Sequence, residues 1–113
     1  MALIYKIATA QQWREAEAAG RFVGAPVDLA DGFIHFSTAE TVQETADKHF
    51  ARQDGLILAA VDADDFGDLL KWEVSRGGAL FPHLYRELDM KEVKWAKALP
   101  LRNGKHDFTG LLP

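Results

Sequence analysis

Apolar and polar positions along the chain mark strands and helices in turn. Leu3-Ile4-Tyr5-Lys6-Ile7-Ala8 is rich in β-forming residues and predicts an opening strand. Thr9 with Gln12 three residues on has the form of a capping box, and Trp13, Ala16 and Ala19 or Gly20 give the next helix a narrow apolar face. Gly20 ends it, and the stretch through Gly24 and Pro26 reads as a loop. Asp31-Gly32 is a turn signal that opens the strand Phe33-Ile34-His35-Phe36-Ser37. Alternation sends Ile34 and Phe36 to the core and puts Phe33, His35 and Ser37 on the other face. Ser37 or Thr38 then predicts a second helix start, with Glu40 completing a capping box and Ala39, Val42, Ala46 and Phe50 forming its apolar stripe.

Beyond Asp54-Gly55 the pattern changes to strands. Leu56 to Val61 is an almost wholly apolar run and predicts a strand buried on both faces. Leu70 to Ser75 alternates, which places Trp72 and Val74 together on a core face and Glu73 and Ser75 opposite. Pro82 interrupts Leu80 to Arg86, so this stretch is expected at a sheet edge or in an extended loop. Val93 to Leu99 predicts a last strand, and residues 100–113 form a tail that the pattern does not assign. No repeat divides the chain. One α+β domain over residues 1–113 follows, with two early helices on small, mainly antiparallel sheets.

Composition narrows the function classes. The 48% hydrophobic and 27% charged content is that of a soluble globular chain, and no apolar run reaches membrane-spanning length. The N-terminus lacks a signal-peptide pattern, so a cytoplasmic protein is expected. Zero cysteines exclude disulfides, thiolate nucleophiles and cysteine-ligated metals. The net charge of −4 argues against a nucleic-acid partner, and Lys91, Lys94 and Lys97 read as solvated surface.

Chemistry gathers in two stretches. His35, Ser37 and Thr38 fall at the end of one strand and its following helix; Glu73, His83, Tyr85 and Arg86 fall in or after later ones. If these converge, His35 or His83 is the proton-transfer group, since imidazole titrates near neutrality, and Glu73 orients an imidazole or stabilises positive charge. Ser37 and Thr38 would meet an anion at a helix N-terminus, with Arg86 and Lys6 holding an anionic group. Plainer roles stand beside these: Ser37 as a helix cap, His35 as a bridge between strands, Glu73 as a solvated position, Tyr85 as an edge aromatic and His49 as surface. No nucleophile elbow surrounds Ser37. A zinc or iron site of His35, His83 and Glu73 is chemically allowed but lacks ligand pairs at close helical spacing, and no metal is expected.

Gly32-Phe33-Ile34-His35-Phe36-Ser37-Thr38, Val61-Asp62, Trp72-Glu73 and Phe81-Pro82-His83-Leu84-Tyr85 together resemble the small bacterial family known as domain of unknown function 952, over about Ile4 to Leu99. That family is distantly similar to the ADP-ribosyltransferase-like folds, which bind NAD between two small sheets, and in pattern to the RNA 2′-phosphotransferases. The resemblance implies a split-sheet fold, NAD as a substrate rather than a bound cofactor, and His35 and Ser37 in a nucleotide cleft. Three positions depart from the pattern: Phe33 stands where the phosphotransferase motif has histidine, Lys6 where an early-strand histidine or arginine grips the ribose, and Arg86 where the uncharacterised family tends to glycine. The expected protein is an enzyme acting on a nucleotide-like or phosphorylated ligand through ADP-ribosyl or phosphoryl transfer. The alternative is a binding or interaction module that has lost that chemistry.

Overall fold

The computed structural model describes residues 2–113, apart from the side chain of Arg76. The opening strand β1 (Leu3–Thr9) runs into helix α1 (Ala10–Ala19). Thr9 caps this helix as its spacing predicts: its hydroxyl accepts from the Gln12 amide, and its own amide donates to the Gln12 side chain. Gly20 closes α1 at φ 81°, a left-handed conformation that glycine adopts without cost. Strand β2 (Arg21–Phe22), helix α2 (Pro26–Asp31) and strand β3 (Ile34–His35) follow, then helix α3 (Val42–His49). The second half is mostly strand: β4 (Leu56–Asp62), β5 (Leu70–Val74), β6 (Leu80–Leu84), β7 (Leu88–Asp89), β8 (Val93–Leu99), β9 (Leu101–Arg102) and β10 (Lys105–His106). The chain is thus a small α+β domain built on antiparallel sheets.

Two three-stranded sheets carry the architecture, one ordered β1-β4-β8 and the other β3-β6-β5. They join where Tyr5 and Ser37 exchange both backbone hydrogen bonds at 2.8 Å. The chain thus pairs with β6 through His35 and with β1 by Ser37, forking between the sheets. Strand β4 is buried on both faces, as its apolar run predicts. Ala59 and Val61 join a core with Ile4, Trp13, Ile34 and Phe36, while Leu58 and Ala60 join a second with Tyr5, Val42 and Ala46.

Pro82 explains the fork. Sequence pattern places its stretch at a sheet edge, yet β6 is the central strand of its sheet. The Phe36 amide donates to the Pro82 carbonyl at 3.0 Å, so the proline nitrogen also faces β3. An antiparallel pair in that position exchanges two bonds, and proline can return none. Regular pairing of β3 with β6 accordingly stops at His35↔His83, and the chain is free to turn to β1.

Three other expectations are corrected. Helix α2 occupies the predicted loop. Helix α3 begins at Val42, because Ser37 and Thr38 are used differently: Ser37 Oγ pairs with Thr45 Oγ1 at 2.8 Å, and Thr38 to Thr41 form a hydrogen-bonded turn. Trp72, expected in the core, is 47% exposed, because its face of the β5–β6 hairpin turns outward toward the tip. The unassigned tail supplies Phe108, Leu111 and Leu112 to the second core and is pinned where buried His106 donates Nε2–H to the Gln53 carbonyl at 2.7 Å.

Candidate functional site

Between the diverging sheets lies a cleft of about 580 Å³. Strand β1 gives it Lys6, the β3 stretch gives His35 and Ser37, β6 gives Phe81 and His83, and α2 gives Pro26, Val27 and Asp31. The two expected poles converge: the rings of His35 and His83 lie with centroids 5.3 Å apart at one cleft. Phe33 fills the angle between them, stacked on His83 at 4.2 Å and tilted against His35 at 4.6 Å and Tyr85 at 5.2 Å. Alternation put Phe33 on the histidine face, and there it fixes the planes of both rings.

Each imidazole is held by carboxylate, in different ways. Glu73 lies across from Phe81 in the β5–β6 pairing, and its Oε1 accepts from both His83 Nδ1 at 2.8 Å and the Tyr85 hydroxyl at 2.7 Å. Tyr85 first and His83 second hold the Glu73 carboxyl below its ordinary range, and the same bond pushes the Tyr85 phenol up. An ionised carboxylate only accepts, so Nδ1 carries a proton, and in the neutral ring Nε2 then presents the lone pair. No described residue takes that Nε2, and His83 is 6% exposed on the cleft wall. An oriented imidazole with an open basic nitrogen is suited to proton abstraction.

His35 is gripped at both ends. Its Nδ1 lies 2.6 Å from Asp28 Oδ1 and its Nε2 2.9 Å from Asp31 Oδ2. Nδ1 hydrogen-bonds Asp28, whereas Nε2 and Asp31 make an ion pair only in the imidazolium. Asp28, 2% exposed, also accepts from the amides of Ala25 and His35 and from the Lys6 ammonium. Burial alone would raise its carboxyl; the His35 bond, the Lys6 charge and the Ala25 amide outweigh burial and hold it at about 2. Burial pulls Lys6 down from its ordinary value, and Asp28 opposes that.

Several expected contacts with an anion are used elsewhere. Lys6 donates to Asp28 Oδ1 at 3.0 Å and to the His35 carbonyl at 3.1 Å, and lies 2.9 Å from Asp28 Oδ2 in an ion pair. Arg86 forms a fork with Glu92 at 2.9 and 2.6 Å and lies 4.9 Å over the Phe66 ring, which makes it a structural clamp. Ser37 is tied to Thr45, Thr38 belongs to the turn before α3, and His49 stands exposed at the cleft rim. Among the described residues no three histidine or acidic side chains are placed to hold a metal ion. Sequence reasoning missed Asp28 and Asp31. Pro26 at the first helical position and Gly32 after the last were the available signal for α2, which carries both.

Fold and site together define a small α+β protein with a cleft between its sheets and two carboxylate-held histidines. The chain belongs to the family described as protein of unknown function (DUF952), whose model matches residues 7–96. A crystal structure of protein CC0527 from Caulobacter crescentus is 53% identical, with a TM-score of 0.91 over 95% of each chain. A double mutant of that protein matches at 52% identity and the same TM-score and coverage. Its solution NMR structure matches at 54% identity and a TM-score of 0.84, over 94% of this chain and 91% of that one. No curated protein matches. No helix among the described residues is long and apolar enough to cross a membrane.

Proposed function

We propose that the cleft binds a nucleotide-like or phosphorylated small molecule, NAD in the first instance, in a cytoplasmic enzyme of the ADP-ribosyltransferase-like kind. The observation that carries this is the Glu73–His83 pair, which leaves an oriented, basic Nε2 on the wall of the cleft. His83 would accept the proton of an attacking hydroxyl, Glu73 and Tyr85 would fix its tautomer, and His35 would anchor the wall opposite. The splayed sheets support the likeness of fold, since the cleft opens between them as the family resemblance implies. A non-catalytic binding module is the second reading. It is favoured by the use of Lys6 and His35 in a buried network with Asp28, at positions where a nucleotide would be gripped.

Thermal shift with NAD, ADP-ribose and ATP tests binding, because a ligand of the native state raises the Tm. Release of nicotinamide from NAD tests turnover. The enzyme reading expects a shift with NAD, measurable release, and loss of release by about 100-fold or more in His83→Ala with the shift kept. A shift without release leaves the binding module. No shift at millimolar concentration with any of the three defeats the nucleotide reading.

A further inference from the structure

We infer that this cleft selects a ligand by a cationic end seated beside the two histidines, and that phosphate contributes little to its affinity. This rests on the nucleotide-like reading and narrows it. The charges around the site carry the argument. Three carboxylates surround the histidines, Asp28 and Asp31 from α2 and Glu73 from β5; against them stand Lys6 on the cleft wall and, when protonated, the His35 ring between Asp28 and Asp31. Lys6 is 5% exposed, donates to Asp28 Oδ1 and the His35 carbonyl, and lies 2.9 Å from Asp28 Oδ2 in an ion pair. Buried and paired with Asp28, it is not presented to a phosphate. Arg86 is closed on Glu92, and the Ser37 hydroxyl on Thr45.

The carboxylates are the opposite case. The side chains of Asp31 and Glu73 are 47% and 39% exposed. Each meets its histidine through one oxygen, and the second has no partner among the described residues. A phosphate beside them would meet like charge, whereas a cation would meet the half-open Asp31 carboxylate on the cleft wall, with Glu73 half open beside His83. The ligand class is therefore one with a positively charged heteroaromatic or amine end, and any phosphate it bears lies outside the cleft.

Calorimetric titration of the intact protein separates charge from phosphate. Nicotinamide riboside carries the cation alone, NAD carries cation and pyrophosphate, NADH carries the pyrophosphate with a neutral ring, and ADP-ribose carries phosphates alone. The expected order has nicotinamide riboside within about threefold of NAD in Kd, and NADH and ADP-ribose weaker by about tenfold or more. Asp31→Asn, at an exposed side chain, is expected to weaken nicotinamide riboside by about tenfold. If NAD binds more than about tenfold tighter than nicotinamide riboside, if ADP-ribose equals NAD, or if Asp31→Asn leaves the riboside unaffected, the inference is overturned while the nucleotide cleft stands. If none of the four binds, both readings fall.

Discussion

The Asp28 carboxylate accepts two backbone amides, the Lys6 ammonium and a ring nitrogen of His35 while almost wholly buried. Removing one side of a buried charge pair strands the other, so Asp28→Ala is expected to lose about 3–5 kcal/mol in urea unfolding at neutral pH. Acid should act on the same group. Its folded value of about 2 lies below the ordinary 3.8, so the unfolded chain binds the proton first. The stabilisation, about 2 kcal/mol, is fully present above about pH 4 and lost as pH falls toward 2, which an acid melting series followed by circular dichroism would show. In the sequence Asp28 is one acidic residue among 17, with nothing in its spacing to single it out. His35 and His83 were legible as chemistry because histidine is scarce and both sit in apolar strands. That Lys6 and Arg86 would be consumed by Asp28 and Glu92 was not legible, since partner choice is settled only when distant segments meet.

At the scale of elements, strands with a plain pattern were readable. β1, β4 and β8 lie where their apolar runs predict, and α1 carries the capping box written in Thr9 and Gln12. Helix α2 was not readable because its polarity is inverted: Val27 and Leu29 are 58% and 62% exposed, and Asp28 points inward. What seats it is the charged network, helped by Gly24, where φ is +126° and an added Cβ would come within 2.9 Å of the Asp28 Cβ. β6 misled for a different reason. The rule that keeps proline out of central strands assumes a ladder continuing on both sides, and here one side ends at the proline. Pro82→Ala would supply the missing amide opposite the Phe36 carbonyl. Hydrogen exchange is expected to find residue 82 protected and β3–β6 pairing lengthened by one pair; a fully exposed amide there would contradict this account of the fork.

Across the whole molecule, two cores sit on either side of the β1–β4 layer, one under α1 and the other under α3 and the tail. Their existence follows from strands apolar on both faces, but the role of the tail did not, since Phe108, Leu111 and Leu112, at helical i, i+3, i+4 spacing, stand beside Gly110 and Pro113 in a stretch too short to make a helix. Ending the chain at Pro100 would uncover the second core around Val42, Leu58 and Leu99 and remove the His106 anchor. A loss of about 3 kcal/mol or more is expected, read as a lowered urea midpoint with increased binding of a hydrophobic dye. The cleft lies where the sheets part, and they part because one residue lacks an amide hydrogen. Its location is therefore written in the main chain, while half-exposed side chains such as Asp31 and Glu73 border the histidines there. Change at those positions can retune what enters without closing the door, so members of one such family can share a shape and differ in what they recognise.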